Sequence, residues 1–261
     1  MGWNIMNPKD LEDAIFEMKL VLAKRIGIKK GMTVVDLGCG QGGFTAALGK
    51  IVEPRGKVIA VDVSDEYLQE FNSRVDRHGV KNVVTFVQSN AADLKRVISD
   101  DTAEIVVSYR LLEELKNPRD MQRIIAEMAR IIKKNGMVCL VELNLDARNE
   151  AEVVYLRLHQ ESGDCFFSQN QIVESMKSAG LTDVHVDIVD TSIWFSPEVA
   201  RQNLGFAQVW FDEDVEKNLG RLIDKYGMKY PRLQVFRGMK RARRDLPSAR
   251  LLNGACYIRV S

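Results

Sequence analysis

Residues 34–45 read VVDLGCGQGGFT, and this stretch decides the fold of the chain. A short apolar run over 33–37 leads into a turn with four closely spaced glycines, and a helical pattern around Phe44, Leu48 and Ile51 follows. Glycine lets the backbone turn sharply, and it lets a ligand approach the main chain where a side chain would collide. The order of strand, glycine turn and helix is typical of nucleotide-binding α/β folds.

Buried strands and amphipathic helices alternate on both sides of this stretch. A helix is predicted over 7–27 before it, and helices over 118–134 and 168–180 follow it. Further strands are predicted at 57–63, 83–88, 104–108, 137–142, 184–189 and 255–260. Most of these strands are almost continuously apolar, which indicates a parallel sheet with helices on both faces. We therefore predict a doubly wound α/β fold whose seven-stranded sheet is mostly parallel.

The last two predicted strands are separated by about 65 residues, too many for a structureless loop in a compact domain. We assign 1–190 plus 254–261 to a Rossmann-like core and 191–253 to an inserted C-terminal cap. Aromatic residues are concentrated in this cap segment, where they are predicted to form a small core or a lid over an apolar or planar substrate. They are Trp194, Phe195, Phe206, Trp210, Phe211, Tyr226, Tyr230 and Phe236.

The composition excludes wholesale disorder and a membrane-spanning protein. Of 261 residues, 46% are hydrophobic and 28% are charged, ordinary values for a globular protein. No apolar run approaches the ~20 residues of a membrane-spanning helix, and the N-terminus lacks the pattern of a signal peptide. We expect a cytoplasmic protein. The four cysteines are scattered, so we expect reduced thiols and no metal site.

Three acidic residues come at the ends of successive predicted strands. Asp36 lies just before the glycine turn, where a carboxylate can bind a cationic amino group and would repel the pyrophosphate of a dinucleotide. Asp62 ends the next strand, placed to accept both hydroxyls of a ribose. Asp93 follows the third strand, where it can accept a hydrogen bond from an exocyclic amine. Together, the three acids are placed to bind an amine, a ribose and an adenine.

On these residues the sequence resembles the class I S-adenosylmethionine-dependent methyltransferases. In that family DxGxGxG follows the first strand, an acid ends the second and an acid follows the third. The family's fourth-strand motif begins with Asp, whereas this chain has Glu104. The resemblance covers about residues 10–190 plus the terminal strand, and it implies S-adenosylmethionine as cofactor and S-adenosylhomocysteine as product. The residues it places at the cofactor are Asp36, Gly38, Gly40, Gly42, Asp62, Val63, Ala92, Asp93 and Tyr109.

The acceptor side of such a reaction needs alignment more than acid–base groups, because the cofactor carries an activated methyl group. Tyr109 and Arg110 follow the fourth strand, and Tyr155 and His159 share one face of a predicted helix. We predict catalytic roles for Tyr109 and for His159, the latter as a general base near neutral pH. An exposed helix histidine without a catalytic role is the alternative for His159. The expected acceptor is a small molecule, planar or anionic.

A basic segment over 229–250 leaves other functions open. It holds eight Lys or Arg against one Asp, while the whole chain has a net charge of +1. Such a segment can bind an anionic group of a substrate, or it can bind RNA. An RNA methyltransferase is therefore an alternative, although SYRL at 108–111 replaces the NPPY or DPPY motif of enzymes that act on exocyclic amines. A non-catalytic protein that binds S-adenosylmethionine and a dehydrogenase are the others, and the oligomeric state stays open.

Overall fold

The computed structural model describes residues 3–5, 8–206 and 213–241. Strands and helices alternate along most of this part of the chain. In chain order the elements are β1 (Trp3–Ile5), α1 (Pro8–Ile26), β2 (Thr33–Leu37), α2 (Gly43–Val52), β3 (Lys57–Asp62), α3 (Leu68–Arg77), β4 (Val84–Gln88), β5 (Ala103–Tyr109), α4 (Pro118–Ile131), β6 (Ile132–Leu143), α5 (Glu150–Glu161), α6 (Gln169–Ser178), β7 (Thr182–Val189), β8 (Ile193–Phe195), α7 (Pro197–Phe206), α8 (Glu213–Tyr226), β9 (Met228–Lys229) and β10 (Leu233–Met239).

The predicted seven-stranded, mostly parallel sheet is confirmed. Its strand order is β4-β3-β2-β5-β6-β10-β7, and only β10 runs antiparallel to its neighbours. One apolar layer packs α1, α2, α3 and α5 on one face, and a second packs α4 and α6 on the other. The strand order reverses between β2 and β5, the place where doubly wound sheets bind ligands.

The seventh strand of the sheet is not where the sequence predicted it. Leu233–Met239 pairs with β6 on one side and with β7 on the other, although it lies within the segment assigned to the cap. That assignment is wrong for this part of 191–253. The side chains of Leu233, Val235 and Phe236 are fully buried, so both faces of β10 belong to the central core. The strand predicted at 255–260 lies outside the described residues.

The rest of the described cap segment forms a second layer beside α5. Strands β1, β8 and β9 make a small sheet in that order. Helix α7 packs against β8 and α8, and α8 packs against α5. A buried ion pair joins this layer to the core, since the Lys229 ammonium lies 2.6 Å from the Glu152 carboxylate. In the ranges that the structure describes, no helix has the length and apolarity needed to span a membrane.

Helix α4 ends at Ile131, three residues earlier than predicted, and β6 begins directly after it. Asn135 adopts a left-handed conformation (φ 63°), and its N–H donates to the carbonyl of Lys240. Lys240 N–H in turn donates to the carbonyl of Gly136. The pairing with the end of β10 therefore extends β6 into the segment predicted as helix. Helix α6 begins after Ser168, which caps it with a full capping box to Gln171.

Candidate active site

A cleft of about 880 Å³ lies at the carboxyl ends of β2, β3, β4 and β5. The glycine turn forms one side of it, and residues that follow β3 and β4 form another. Beyond the glycine turn the cleft continues past Tyr109 to Arg110 and Glu113. Pockets of 300–1,000 Å³ are typical of small-molecule sites.

The glycine turn is built so that only glycine fits at two of its positions. Gly38 and Gly42 have left-handed backbones (φ 71° and 77°). A Cβ on Gly38 would lie 2.6 Å from the side chain of Leu111, and a Cβ on Gly42 would lie 2.7 Å from that of Phe71. Gly40 is left-handed too, but a Cβ there would meet nothing within 4 Å. Gly38 and Gly40 line the cleft, whereas Gly42 caps α2 behind it.

Asp36 lies under the cleft with one carboxylate oxygen bonded and the other free. Its Oδ2 accepts a hydrogen bond from the Thr45 hydroxyl at 2.6 Å. Its Oδ1 is buried and has no hydrogen-bond partner. Burial raises the pKa of Asp36 to about 7, while Thr45 and the nearby Lys19 ammonium oppose that rise. A buried carboxylate with an unpaired oxygen is suited to bind a cationic amino group.

Lys19 on α1 lines the cleft, although no pattern in the sequence predicts it there. Burial lowers its pKa to about 8, and the positive charges of Arg74 and Arg110 act in the same direction. Its Nζ lies 4.8 Å from the centre of the Tyr109 ring. The helical pattern of α1 carried no signal for this role, because only the packing of α1 beside the glycine turn brings Lys19 to the cleft.

Asp62 ends β3 and supports the glycine turn from below. Its Oδ2 accepts the N–H of Gly40 at 2.8 Å, and its Oδ1 accepts the N–H of Ser64 at 3.1 Å. Each carboxylate oxygen has a second lone pair, so two acceptor positions remain for the hydroxyls of a ribose. Val63 also lines the cleft with 67% of its surface exposed, which leaves an apolar face for a planar ring.

Among the polar residues after β4, Asn90 lines the cleft and the predicted Asp93 does not. Asn90, Ala91 and Ala92 line the cleft, while Asp93 is exposed to solvent. The turn explains this, because Asp93 N–H donates to the Asn90 carbonyl and Leu94 enters the core. Asn90 stands two positions after the strand end, and counting from that end would have found it.

Tyr109 and Arg110 turn inward at the end of β5. The Tyr109 hydroxyl shares a hydrogen bond of 2.7 Å with the hydroxyl of Tyr230, which precedes β10. Burial raises the pKa of Tyr109 above its ordinary value. Arg110 has a left-handed backbone (φ 58°), and its Nη1 donates to Tyr155 at 3.1 Å and to Tyr230 at 3.4 Å. Both Tyr109 and Arg110 line the cleft, as their position after the strand predicts.

His159 lies behind Arg110 and is not among the residues that line the cleft. Its Nδ1 lies 2.7 Å from an Asp164 oxygen, and the Arg110 guanidinium lies 3.2 Å from the ring. Burial lowers the pKa of His159, and the bond to Asp164 opposes this shift. Because arginine only donates and a carboxylate only accepts, His159 is neutral with its proton on Nδ1. Glu113, His159 and Asp164 bring ligand atoms within 4.8 Å of one another, but the Arg110 guanidinium pairs with Glu113 and contacts His159.

The described part of the basic segment is neutralised within the chain. Each of its five Lys or Arg residues forms an ion pair with an acidic residue of another element or loop: Lys229 with Glu152, Arg232 with Asp146, Arg237 with Asp187, Lys240 with Asp101, and Arg241 with Asp183. The three other basic residues of the segment, at 243, 244 and 250, lie outside the described residues. These pairs reduce the charge available for a nucleic acid.

A doubly wound sheet with a glycine turn and acidic residues at the ends of β2 and β3 defines a Rossmann-like protein that binds a nucleoside cofactor. A family described as a methyltransferase domain matches residues 28–180. The chain belongs to this methyltransferase family, and its cofactor is S-adenosylmethionine.

The chain resembles known proteins in sequence over about half of its length and in fold over most of it. Over 130 residues it is 30% identical to the ubiquinone/menaquinone biosynthesis C-methyltransferase UbiE of Pasteurella multocida, an alignment that covers 49% of this chain and 46% of that enzyme. The chain thus aligns with about half the length of the curated relatives it matches. A cyclopropane-fatty-acyl-phospholipid synthase-like protein of Lactobacillus casei has a TM-score of 0.69 at 16% identity, with 92% of this chain and 95% of that one covered. A phosphoethanolamine N-methyltransferase of Haemonchus contortus gives 0.58 at 20% identity, covering 87% and 53%.

The residues of the cleft fit S-adenosylmethionine. The unpaired Oδ1 of Asp36 is a buried acceptor without a donor, as the amino group of the cofactor requires. Asp62 has lone pairs left for the ribose, and Val63 and Ala92 line the cleft where the adenine would lie. Lys19 carries a positive charge that suits the cofactor's carboxylate, and the charge of Asp36 favours that charged form.

Proposed function

We propose that the protein transfers a methyl group from S-adenosylmethionine to a small-molecule acceptor. The observation that carries this proposal is the extent of the cleft, which runs from the ribose-binding position at Asp62 past Asp36 to Arg110 and Glu113. The cofactor supplies an activated methyl group when bound. The part of the cleft beyond Tyr109 leaves space for a second molecule beside it. The chain's own residues then align the two reactants, which is the main source of rate in such a displacement.

Calorimetric titration with S-adenosylmethionine and S-adenosylhomocysteine tests the cofactor site. We expect both to bind the wild-type protein, and Asp62→Ala to weaken each by about 100-fold, because two hydrogen bonds to an ionised carboxylate contribute about 1.5 kcal/mol each. Asp76→Ala, an exposed acid on α3, serves as the matched control and leaves the affinity unchanged. Wild-type protein that binds neither compound would overturn the proposal.

We assign Tyr109 to the boundary between cofactor and acceptor. Tyr109 lines the cleft, packs on Phe44 and shares a hydrogen bond with Tyr230. Tyr109→Ala is therefore expected to lower turnover about tenfold more than it lowers cofactor affinity. The measurement is kcat beside the dissociation constant for S-adenosylhomocysteine, and an equal loss in both would contradict this role.

The contacts of His159 favour a positioning role, in which it acts on the site through Arg110, over a role as general base. A direct general base needs a free nitrogen facing the acceptor, whereas both ring nitrogens of His159 already face Asp164 or Arg110. We propose that His159 acts by holding the Arg110 guanidinium in place.

We propose that the reaction takes place in the cytoplasm. The methyl acceptor can be identified by screening candidate compounds. The names of the curated relatives refer to ubiquinone and menaquinone biosynthesis, so hydroxylated aromatic compounds belong in the screen. RNA belongs there as a control, because the described basic residues at 229–241 are already paired. Turnover of any small molecule also separates this proposal from a non-catalytic cofactor-binding protein.

A further inference from the structure

The side chain of Glu113 has one carboxylate oxygen in an ion pair and the other without a partner. Glu113 belongs to a single turn of 3-10 helix over Leu112–Glu114, which follows β5. Its Oε1 pairs with the Arg110 guanidinium. Its Oε2 is buried and, among the described residues, has no hydrogen-bond partner. With only 4% of the side chain exposed, Oε2 is an acceptor for which the described chain supplies no donor.

Glu113 is held in place at the cleft that binds the cofactor. It lines this cleft together with Arg110 and Leu111. Its carbonyl accepts the N–H of Cys165 at 2.7 Å, and its Oε1 is fixed by Arg110. Main chain and side chain are therefore both anchored, so the position of Oε2 is set by the fold.

The guanidinium of Arg110 is already engaged on both terminal nitrogens. Its Nη1 donates to the hydroxyls of Tyr155 and Tyr230, and its Nη2 contacts Glu113 Oε1 and the ring of His159. Each terminal nitrogen carries two hydrogens, so these four contacts use all of them. Glu113 Oε2 therefore needs a different donor.

The cofactor has acceptors of its own in the cleft. Asp36 is a second carboxylate with one oxygen bonded and the other free, and we assign it to the single amino cation of S-adenosylmethionine. Asp62 keeps lone pairs for the ribose hydroxyls. Both groups of the cofactor are thus bound without Glu113, which leaves Glu113 Oε2 for a second molecule.

The formal charges of the residues after β5 favour a donor over an anion. These residues bring three acids to the cleft, Glu113, Glu114 and Asp120, against the one base Arg110. Arg110 is paired with Glu113, so Glu114 and Asp120 are left as negative charges. An anionic ligand would be repelled here, whereas a neutral or positively charged donor would not.

We propose that Glu113 binds the methyl acceptor through a hydrogen-bond donor of that molecule, either a hydroxyl or an amino cation. An ionised carboxylate only accepts hydrogen bonds, and bonds to it are stronger than bonds between neutral groups. The acceptors that fit are small alcohols, phenols and amines. This inference rests on the proposed function, because it assigns the acceptor side of the same cleft.

The test is calorimetric titration at pH 8 of the protein saturated with S-adenosylhomocysteine. Burial raises the pKa of Glu113 to about 7, so most of this carboxyl is ionised at pH 8. The probes are phenol and benzylamine, with anisole as the control that lacks a donor and benzoate as the anion. We expect phenol or benzylamine to bind at least tenfold more tightly than anisole, and benzoate to bind no more tightly than anisole. The tighter of the two donors shows which kind the site prefers.

Glu113→Gln should weaken the preferred donor about tenfold and leave anisole unchanged, because the amide carries no charge. Glu174→Gln removes an exposed carboxylate of α6 and should leave all four probes as in the wild type. If Glu113→Gln fails to fold, Glu113→Asp replaces it, since the shorter side chain keeps the charge and withdraws the carboxylate by one methylene. It should lower the preference for the donor at least threefold.

Donors that bind no better than anisole, or that ignore the change at Glu113, would overturn the inference. The first of these results is expected if the hydrogen of the neighbouring Glu142 carboxyl occupies Oε2.

Titration with S-adenosylhomocysteine itself separates the two proposals. Binding of S-adenosylhomocysteine without a preference for donors overturns the role of Glu113 alone. If S-adenosylhomocysteine does not bind, the four probes are titrated into the free protein. A donor preference that depends on Glu113 then supports this site and overturns the proposed methyl transfer, and no preference overturns both.

Discussion

Cofactor affinity should rise with pH because Asp36 must be ionised to bind an amino cation. Its raised pKa of about 7 means that about 3% of the protein has Asp36 ionised at pH 5.5 and about half at pH 7. If only the ionised form binds tightly, the dissociation constant for S-adenosylmethionine falls about fifteenfold over this range. The upper limit of pH 7 avoids titration of the amino group of the cofactor, since α-amino groups titrate at about 7.7–8.0.

Calorimetry at constant ionic strength between pH 5.5 and 7 measures this change. Asp36→Asn should bind weakly at every pH and flatten the profile. Thr45→Val should move the rise to higher pH, because the Thr45 hydroxyl lowers the pKa of Asp36. A wild-type affinity that does not change with pH, or an equal slope in Asp36→Asn, would refute the role of Asp36.

The same pKa shift has the opposite effect on stability. The folded-state pKa of Asp36 is above its ordinary value of 3.8, so the folded protein loses stability as the pH rises from about 4 to about 7. Above that range the cost is up to about 4 kcal/mol, from 1.36 kcal/mol for each pKa unit. Asp36→Asn should therefore raise the melting temperature of the cofactor-free protein at pH 8 while it weakens cofactor binding. A melting temperature that falls instead would contradict the assigned pKa.

Two further substitutions test the framework of the cleft by thermal denaturation. Gly42→Ala should destabilise the protein by about 2–4 kcal/mol, because the new side chain has a left-handed backbone and also clashes with a phenylalanine of α3. Gly79→Ala has the backbone strain without the clash and should cost about 1–2 kcal/mol. Equal losses in the two variants would contradict the clash. Lys229→Met should cost about 2–3 kcal/mol, because the buried Glu152 keeps only the half-exposed Arg148 as an ion-pair partner. Adding Glu152→Leu should restore part of that loss, and no recovery in the double variant would contradict the charge argument.

The sequence was sufficient for the strands that follow one another in the parallel part of the sheet. Their apolar runs are buried on both faces, so periodicity and glycine punctuation identify them without knowledge of their partners. Strand β10 was missed because Arg237 and the neighbouring basic residues give it the pattern of a surface segment. In the structure Arg237 pairs with Asp187 of β7, a compensation that depends on a contact between distant parts of the chain.

The candidate site was predictable where a side chain follows directly from a strand end. Asp36, Asp62 and Tyr109 occupy such positions, and all three line the cleft. Asp93 was misplaced because the tight turn after β4 points it to solvent. Lys19 reaches the cleft only through the packing of α1, for which periodicity gives no sign.

The antiparallel strand β10 has a consequence for how the protein matures during translation. It lies between β6 and β7 in the sheet but is synthesised after both, and β8, α7, α8 and β9 lie between β7 and β10 in the sequence. Until β10 emerges from the ribosome, the facing edges of β6 and β7 have unpaired backbone groups, which are prone to aggregation. Tyr230, the hydrogen-bond partner of Tyr109, lies three residues before β10, so this contact with the cleft residue Tyr109 forms in the same late step. A nascent chain can thus form the glycine turn and the ends of β2 and β3 before Tyr109 gains this partner.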